Sequence, residues 1–213
     1  MSAEPTQTRL FETALVCDFA FENFGFEQGF HRIAGLDEVG RGALFGPVCA
    51  AAVILNRSRI PAEINDSKQL SAKKRLELAE RIKELAEDFA VAFVEAEVID
   101  QVNVLEATRQ AMKLAVARLK TAPDYLLCDG PLRLDTSIPQ RSVIKGDARS
   151  QSIAAASIVA KVERDLLISR LALQYPEYDL ANNKGYPTPK HLRALRRHGA
   201  TPLHRKSFRG VQS

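Results

Sequence analysis

Apolar positions in this chain fall into two recurring patterns. Residues 31–36, 48–55, 89–94, 125–128 and 142–144 form short apolar runs of strand length. The run 48–55 is almost unbroken rather than alternating, which predicts a strand buried on both faces, and with 31–36 it is expected to form the centre of a sheet. Between these runs apolar residues recur at helical spacing. Leu78, Ile82 and Leu85 follow a candidate N-cap at Ser71, while Leu105, Thr108, Met112, Ala115, Val116 and Leu119 follow Asn103, which makes a capping box with Glu106. The second of these helices is expected to end before Pro123. A longer helix is predicted over 150–175, with Ala154, Ala155, Ala156 and Ala160 giving it a face narrow enough for close approach to a sheet, and a last one runs from Thr188-Pro189 to Gly199. The order of elements is that of an α/β domain.

Residues 1–29 stand apart through their phenylalanines, Phe11, Phe19, Phe21, Phe24 and Phe26, with Phe30 just beyond. They are read as an N-terminal extension that packs its aromatics against the body, ahead of a domain spanning 30–213 whose last portion, about 176–213, is basic. No internal repeat, low-complexity tract or linker divides the chain.

Three strand runs end in acid and glycine. Residues 33–36 deliver Asp37 and Glu38 to a turn holding Arg41 between Gly40 and Gly42; 125–128 deliver Asp129-Gly130; 142–144 deliver Lys145-Gly146-Asp147. Acids placed just past strand ends converge in the crevice of an open α/β sheet although far apart in sequence. Clustered carboxylates repel one another and lose hydration, so the arrangement asks for a cation between them. Oxygen donors without cysteine or zinc-spaced histidine select Mg²⁺ or Mn²⁺. Two such ions suit phosphodiester hydrolysis, activating water on one side and stabilising the leaving oxygen on the other. One geometric difficulty is visible at once: consecutive strand residues point to opposite faces, so Glu38 must lie where the strand ends. His191 and His198, among basic residues, are read as surface or phosphate-contacting groups.

The net charge of +4 is unevenly spread. From Lys184 onward there are eight Lys or Arg and no acid, whereas the preceding 183 positions hold 22 basic and 26 acidic residues. A tail of this kind suits a polyanion such as nucleic acid. Cys17, Cys49 and Cys128 are odd in number and form no Cys-x-x-Cys pair, which fits a reducing, cytoplasmic setting, and no signal-like or membrane-spanning stretch is read.

Taken together, Gly35-Leu36-Asp37-Glu38-Val39-Gly40-Arg41-Gly42, Asn65-Asp66-Ser67-Lys68, Asp129-Gly130, Lys145-Gly146-Asp147, the run from Ala155 to Lys161, the run from Lys184 to Thr188 and the run from His204 to Phe208 resemble, in order, bacterial ribonuclease HII, the type 2 ribonucleases H. The resemblance covers about residues 30–210. It implies an RNase H-like fold, a mixed five-stranded sheet flanked by helices with a helical C-terminal portion. It implies a metal-dependent endonuclease, with Mn²⁺ or Mg²⁺, that hydrolyses the RNA strand of RNA/DNA hybrids and incises 5′ of single ribonucleotides in duplex DNA, leaving 5′-phosphates. By position, Asp37, Glu38, Asp129 and Asp147 match the catalytic and metal-binding carboxylates. Gly40, Arg41 and Gly42 match the reader of the ribose 2′-OH, Tyr186 the tyrosine stacking at the ribonucleotide junction, and Lys68, Ser157 and Lys161 phosphate contacts. A monomer is expected, with a replication clamp as a possible partner. Ala43 departs from the proline common in relatives.

Two rival readings use the same residues differently. A noncatalytic nucleic-acid-binding module would rely on the basic tail but needs no complete acid set. A nuclease specific for DNA has no use for the Gly-Arg-Gly turn with Tyr186.

Overall fold

The computed structural model describes residues 16–61, 63–64 and 71–211. The segment 65–68, Lys68 included, and Phe11 lie outside the described residues. Five strands, β1 (Ile33–Val39), β2 (Val48–Ile54), β3 (Asp88–Val94), β4 (Tyr125–Asp129) and β5 (Gln140–Val143), form one sheet in the order β3-β2-β1-β4-β5. β2 runs antiparallel to both of its neighbours, β1 and β3, while β4 joins β1 and β5 joins β4 in parallel. All seven residues of β2 are buried, as its unbroken apolar character predicts.

The two faces are covered differently. Helices α3 (Ala96–Val102) and α4 (Val104–Arg118) pack Ile99, Ala107, Ala111, Met112 and Ala115 on Leu36, Ala50, Ala52 and Leu126. On the other face α2 (Ala72–Leu85) brings Leu78, Ala79 and Ile82, and α5 (Gln151–Leu171) brings Ala154, Ala155, Ile158 and Val159, against Cys49, Ala51 and Val53. Ser71 caps α2, accepting from Lys74 N at 3.3 Å, and Asn103 caps α4, accepting from Leu105 N and Glu106 N. Beyond the sheet, α6 (Leu180–Asn183) and α7 (Pro189–His198) enclose a smaller core of Phe45, Ile168, Tyr178, Leu180 and Leu195.

Three elements depart from the sequence reading. β1 continues through Asp37, Glu38 and Val39 instead of stopping at Leu36, because β2 extends the ladder as far as Val39↔Cys49. β5 is displaced to 140–143, its register set by β4 rather than by the apolar run, and Ile144 is left exposed. The sequence reading has no element at α3, whose apolar residues Ala96, Ile99 and Val102 keep helical spacing over only seven residues.

The N-terminal helix α1 (Ala20–Glu27) is docked on the body. Phe21 is buried with Ile33, Leu127, Val143 and Ile153, and the Phe30 ring stacks on Tyr125 at 4.5 Å. The buried Glu22 carboxylate accepts from Ser150 Oγ at 2.6 Å and Ser152 N at 2.9 Å, joining α1 to the first turn of α5, where a negative group is favoured. Burial raises its pKa, opposed by these hydrogen bonds.

α5 crosses β1 at Gly35, where an added β-carbon would fall 2.1 Å from the carbonyl carbon of Ser152. No side chain fits, so helix and strand would have to part. Gly35→Ala is therefore expected to cost ~3 kcal/mol or more in urea denaturation; an unchanged midpoint would mean that α5 can ride outward freely.

Candidate active site

The parallel ladder between β1 and β4 ends at the pair Leu36↔Cys128. The next residue on each strand is an acid, Asp37 and Asp129, so the two carboxylates stand where the strands part. A third acid arrives from β5. After Val143 the backbone turns through Lys145, at φ 54°, into one 3₁₀ turn over Gly146–Ala148. Gly146 N then donates to Asp129 Oδ1 at 2.6 Å and Asp147 N approaches the same oxygen at 3.4 Å.

Glu38 resolves the alternation problem by position. Asp37 pairs across the sheet with Ala51 and Glu38 with Ala50, so the two start on opposite faces. The strand ends one residue later, and Arg41 Nη1 donates to Glu38 Oε1 at 3.2 Å. Asp37, Glu38, Asp129 and Asp147 all line one cavity of about 330 Å³, together with Val39, Arg75, Ser157, Lys161 and Tyr186. Gly40, Arg41 and Gly42 follow directly from β1 and are not among its lining residues.

The electrostatics are those of crowded anions. Burial raises the Asp37 carboxyl well above the usual carboxylate range, with Asp129 and then Glu38 adding repulsion, against hydrogen bonds from Ser157 and Glu38 N. Burial also raises Asp129, with Asp147 the next contributor. Glu38 is raised by burial and held back by Arg41, while its Oε2 is buried without a hydrogen-bond partner. Among the described residues no three His, Cys, Asp or Glu already converge as a cage for a metal ion. The donor set still fits Mg²⁺ or Mn²⁺, since Mg²⁺ takes one or two carboxylates and fills its shell with water and substrate oxygens. The orphaned Glu38 oxygen and the repulsion among the acids mark a shortage of positive charge that such an ion would relieve.

Two buried arginines hold the turn after β1. Arg164, on α5, donates from Nε to Pro47 O at 3.0 Å, from Nη1 to Lys184 O at 2.9 Å and from Nη2 to Phe45 O at 3.1 Å. Arg205 donates from Nε to Gly46 O at 3.0 Å and from Nη1 to Arg41 O at 2.9 Å. Gly40, at φ 94°, lies so close to Arg164 that a β-carbon would meet Nε at 2.2 Å. Leu44 N donates to Gly185 O at 2.8 Å, tying this turn to the loop carrying Tyr186.

The model of the Ribonuclease HII family matches residues 34–211. The chain belongs to the ribonuclease HII family. A relative named ribonuclease HII from Solibacter usitatus is 50% identical over 197 residues, 92% of this chain and 86% of that one. The crystal structure of ribonuclease H2 from Pyrococcus horikoshii matches with TM-score 0.75 at 25% identity, over 85% of this chain and 96% of that one. A PCNA:RNase HII complex from Archaeoglobus fulgidus matches with TM-score 0.68 at 29% identity, over 78% and 88%. The mixed five-stranded sheet with flanking helices is the fold expected of a ribonuclease HII.

For this family member several sequence readings need revision. His191 is fully buried rather than at the surface, because α7 turns it inward against His204. Arg205, counted with the basic tail, is also fully buried and spends its charge on backbone carbonyls. Exposed positive charge is left mainly to Arg193, Arg196, Arg197, Lys206 and Arg209. Lys161 lines the cavity but donates to Asp165 Oδ1 at 2.9 Å, so a phosphate would have to displace that partner. Ser157 bonds the Asp37 carboxylate. Arg75, half-buried on α2, was not singled out in the sequence; nothing local distinguishes it from the other cations of that amphipathic helix.

Because burial, with mutual repulsion added, raises the folded-state pKa values of Asp37, Asp129 and Glu38, the cost of ionising them in the folded protein is absent below the unfolded pKa of about 4, grows as pH climbs toward the raised folded values, and is constant above them. Metal-free protein should therefore become less stable as pH rises from about 4 through those raised values. At pH 7.5, Mn²⁺ at about 100 times its Kd should raise Tm by roughly 5–10 °C, and Asp37→Asn should raise the metal-free Tm while shrinking the metal-induced shift. Scanning calorimetry with and without chelator reads both; a Tm indifferent to Mn²⁺ would remove the cation from this site.

Proposed function

We propose that this chain hydrolyses the RNA strand of RNA/DNA hybrids and incises 5′ of single ribonucleotides embedded in duplex DNA, using Mg²⁺ or Mn²⁺. The observation that carries this reading is the pairing of four carboxylates lining one cavity with an open glycine facing an aromatic ring. A β-carbon at Gly42 would come no closer to a neighbour than 4.0 Å, and that neighbour is the Tyr186 ring. Internal packing does not require glycine there. Close approach of a ligand does, and only the 2′-OH separates RNA from DNA at a single nucleotide.

The residues divide the work accordingly. Backbone donors of the Gly40–Gly42 turn approach the sugar, Arg41 offers its guanidinium to the adjoining phosphate, and Tyr186 provides a flat face for the next base. Asp37, Glu38, Asp129 and Asp147 would hold the divalent ions, which when bound polarise the scissile phosphate and its attacking water. Asp129 is oriented for this by Gly146 N and Asp37 by Ser157 and Glu38 N. The product would carry a 5′-phosphate. Arg75 and Lys161, at the cavity wall, are placed for neighbouring phosphates, and the exposed cations of α7 extend the positive surface.

The wider setting is part of the same proposal. All three cysteines are free thiols, as a cytoplasmic enzyme permits, and among the described residues no helix is long and apolar enough to cross a membrane. The archaeal relative's complex with PCNA supports a sliding clamp as a partner. We read residues 1–29 as an extension to a catalytic domain of 30–213 that acts as a monomer.

The test is cleavage of a DNA duplex with one ribonucleotide, beside an all-DNA control. Incision 5′ of the ribonucleotide should require Mn²⁺ or Mg²⁺ and fall at least ~1,000-fold in Asp37→Asn, with hybrid binding retained. Turnover by Asp37→Asn would sink the assignment, equal cleavage of all-DNA duplex would make this a DNA nuclease, and tight binding without any cleavage would leave a noncatalytic module.

A further inference from the structure

Beneath the Tyr186 loop two buried imidazoles meet. His191, in the first turn of α7, is fully buried, and His204 is 1% exposed. His191 Nδ1 lies 2.9 Å from Tyr186 O, and its Nε2 lies 3.0 Å from His204 Nε2. His204 Nδ1 in turn lies 3.0 Å from Thr201 N and 2.9 Å from Thr201 Oγ1.

One fixed donor settles where the protons are. A backbone N–H only donates, so His204 Nδ1 accepts from Thr201 N. A neutral ring with a bare Nδ1 carries its hydrogen on Nε2, and His204 therefore donates to His191 Nε2. His191 then carries its hydrogen on Nδ1 and donates to the Tyr186 carbonyl. Adding a proton to either ring sets N–H against N–H, at Thr201 in one case and between the rings in the other. Burial favours the neutral forms, lowering His191 and, with repulsion from His191, lowering His204 to about 4.

The chain of bonds ends on the segment that carries the stacking ring. The Tyr186 carbonyl also accepts from Thr188 N at 2.8 Å, and Thr188 caps α7 by accepting from His191 N. The rings of Phe45 and His204 pack nearly perpendicular with centroids 5.0 Å apart, and Phe45 belongs to the turn that follows Gly42. Tyr186 is thus held through its carbonyl by His191, and Phe45, three residues beyond Gly42, packs on His204.

We propose that His191 and His204 are positioning residues for Tyr186, a neutral relay from Thr201 that fixes the backbone from which the tyrosine reaches the ribonucleotide junction. The proposal rests on the reading of Tyr186 given above. Selectivity for ribonucleotide-containing DNA then depends on two side chains that are themselves buried away from the substrate.

The experiment compares kcat/KM for the single-ribonucleotide duplex among Tyr186→Ala, His191→Leu, His191→Asn and the double variant Tyr186→Ala/His191→Leu. His191→Leu should lose about tenfold, whereas His191→Asn, whose amide N–H replaces the Nδ1 donor, should recover most of it. In the Tyr186→Ala background His191→Leu should change nothing beyond about twofold, because a role exercised through the ring vanishes with the ring. A full Tyr186→Ala effect with a silent or additive His191→Leu overturns the relay alone. A Tyr186→Ala variant equal to the parent overturns the stacking reading and the relay with it. Long-range ¹H–¹⁵N spectra of the unmodified protein give an answer that needs no variant to fold: His191 protonated on Nδ1 and His204 on Nε2 is expected, and the opposite tautomers overturn the relay.

Discussion

Four carboxylates that repel one another are held around a single cavity from which much of the water has been removed, and the rest of this fold is arranged so that they cannot separate. Left free, like charges in a partly buried site would move apart or take up protons. Here each is fixed by backbone: Asp37 and Asp129 by two strands that part at one level, Asp147 by a 3₁₀ turn hydrogen-bonded to Asp129, and Glu38 by the end of β1. The helix α5 makes this rigid by lying directly on Gly35, two residues before the first acid, while Glu22 anchors the start of that helix from α1. Stability is given up locally to hold the acids together.

The positive counterpart is built on different principles. Arg164 and Arg205 are both buried, and neither spends its charge on an acid; their donors go to main-chain carbonyls of the turn after β1 and of the Tyr186 loop. Burial lowers the pKa of both, and Arg205 keeps one buried nitrogen without a partner. A guanidinium with five fixed donors satisfies several carbonyls of irregular backbone at once, which loops without secondary structure otherwise leave unpaired. The turn and the loop are thereby tied together beside the acidic cavity, which the Tyr186 ring helps to line.

The ribonuclease HII fold was legible where a local cue exists. The unbroken apolar run of β2, the caps at Ser71 and Asn103 and the small residues of α5 each express a constraint felt by a few neighbouring residues and stand where the sequence places them, whereas the acids meet in one cavity although β1 runs on past Leu36 and β5 ends at Val143. What lacked such a cue was misread. His191 and Arg205 look like members of a basic surface because charge counts along the chain carry no information about burial. Arg75 looks like any helix cation until α2 is laid across the sheet.

By itself, then, the sequence determined β2, most of the other strands and the longer helices, and it set the acids beside strand ends, since hydrophobic period, capping and residue chemistry act over a handful of positions. Only the tertiary structure decided that β1 runs on through its acids, that β1 and β4 part between Leu36–Cys128 and Asp37–Asp129, and that two histidines and two arginines sit inside rather than outside. Those outcomes depend on register between strands and on which face of a helix meets the core, and both are fixed by contacts that a local stretch of sequence does not contain, such as Leu36 with Cys128 and Arg205 with Gly46.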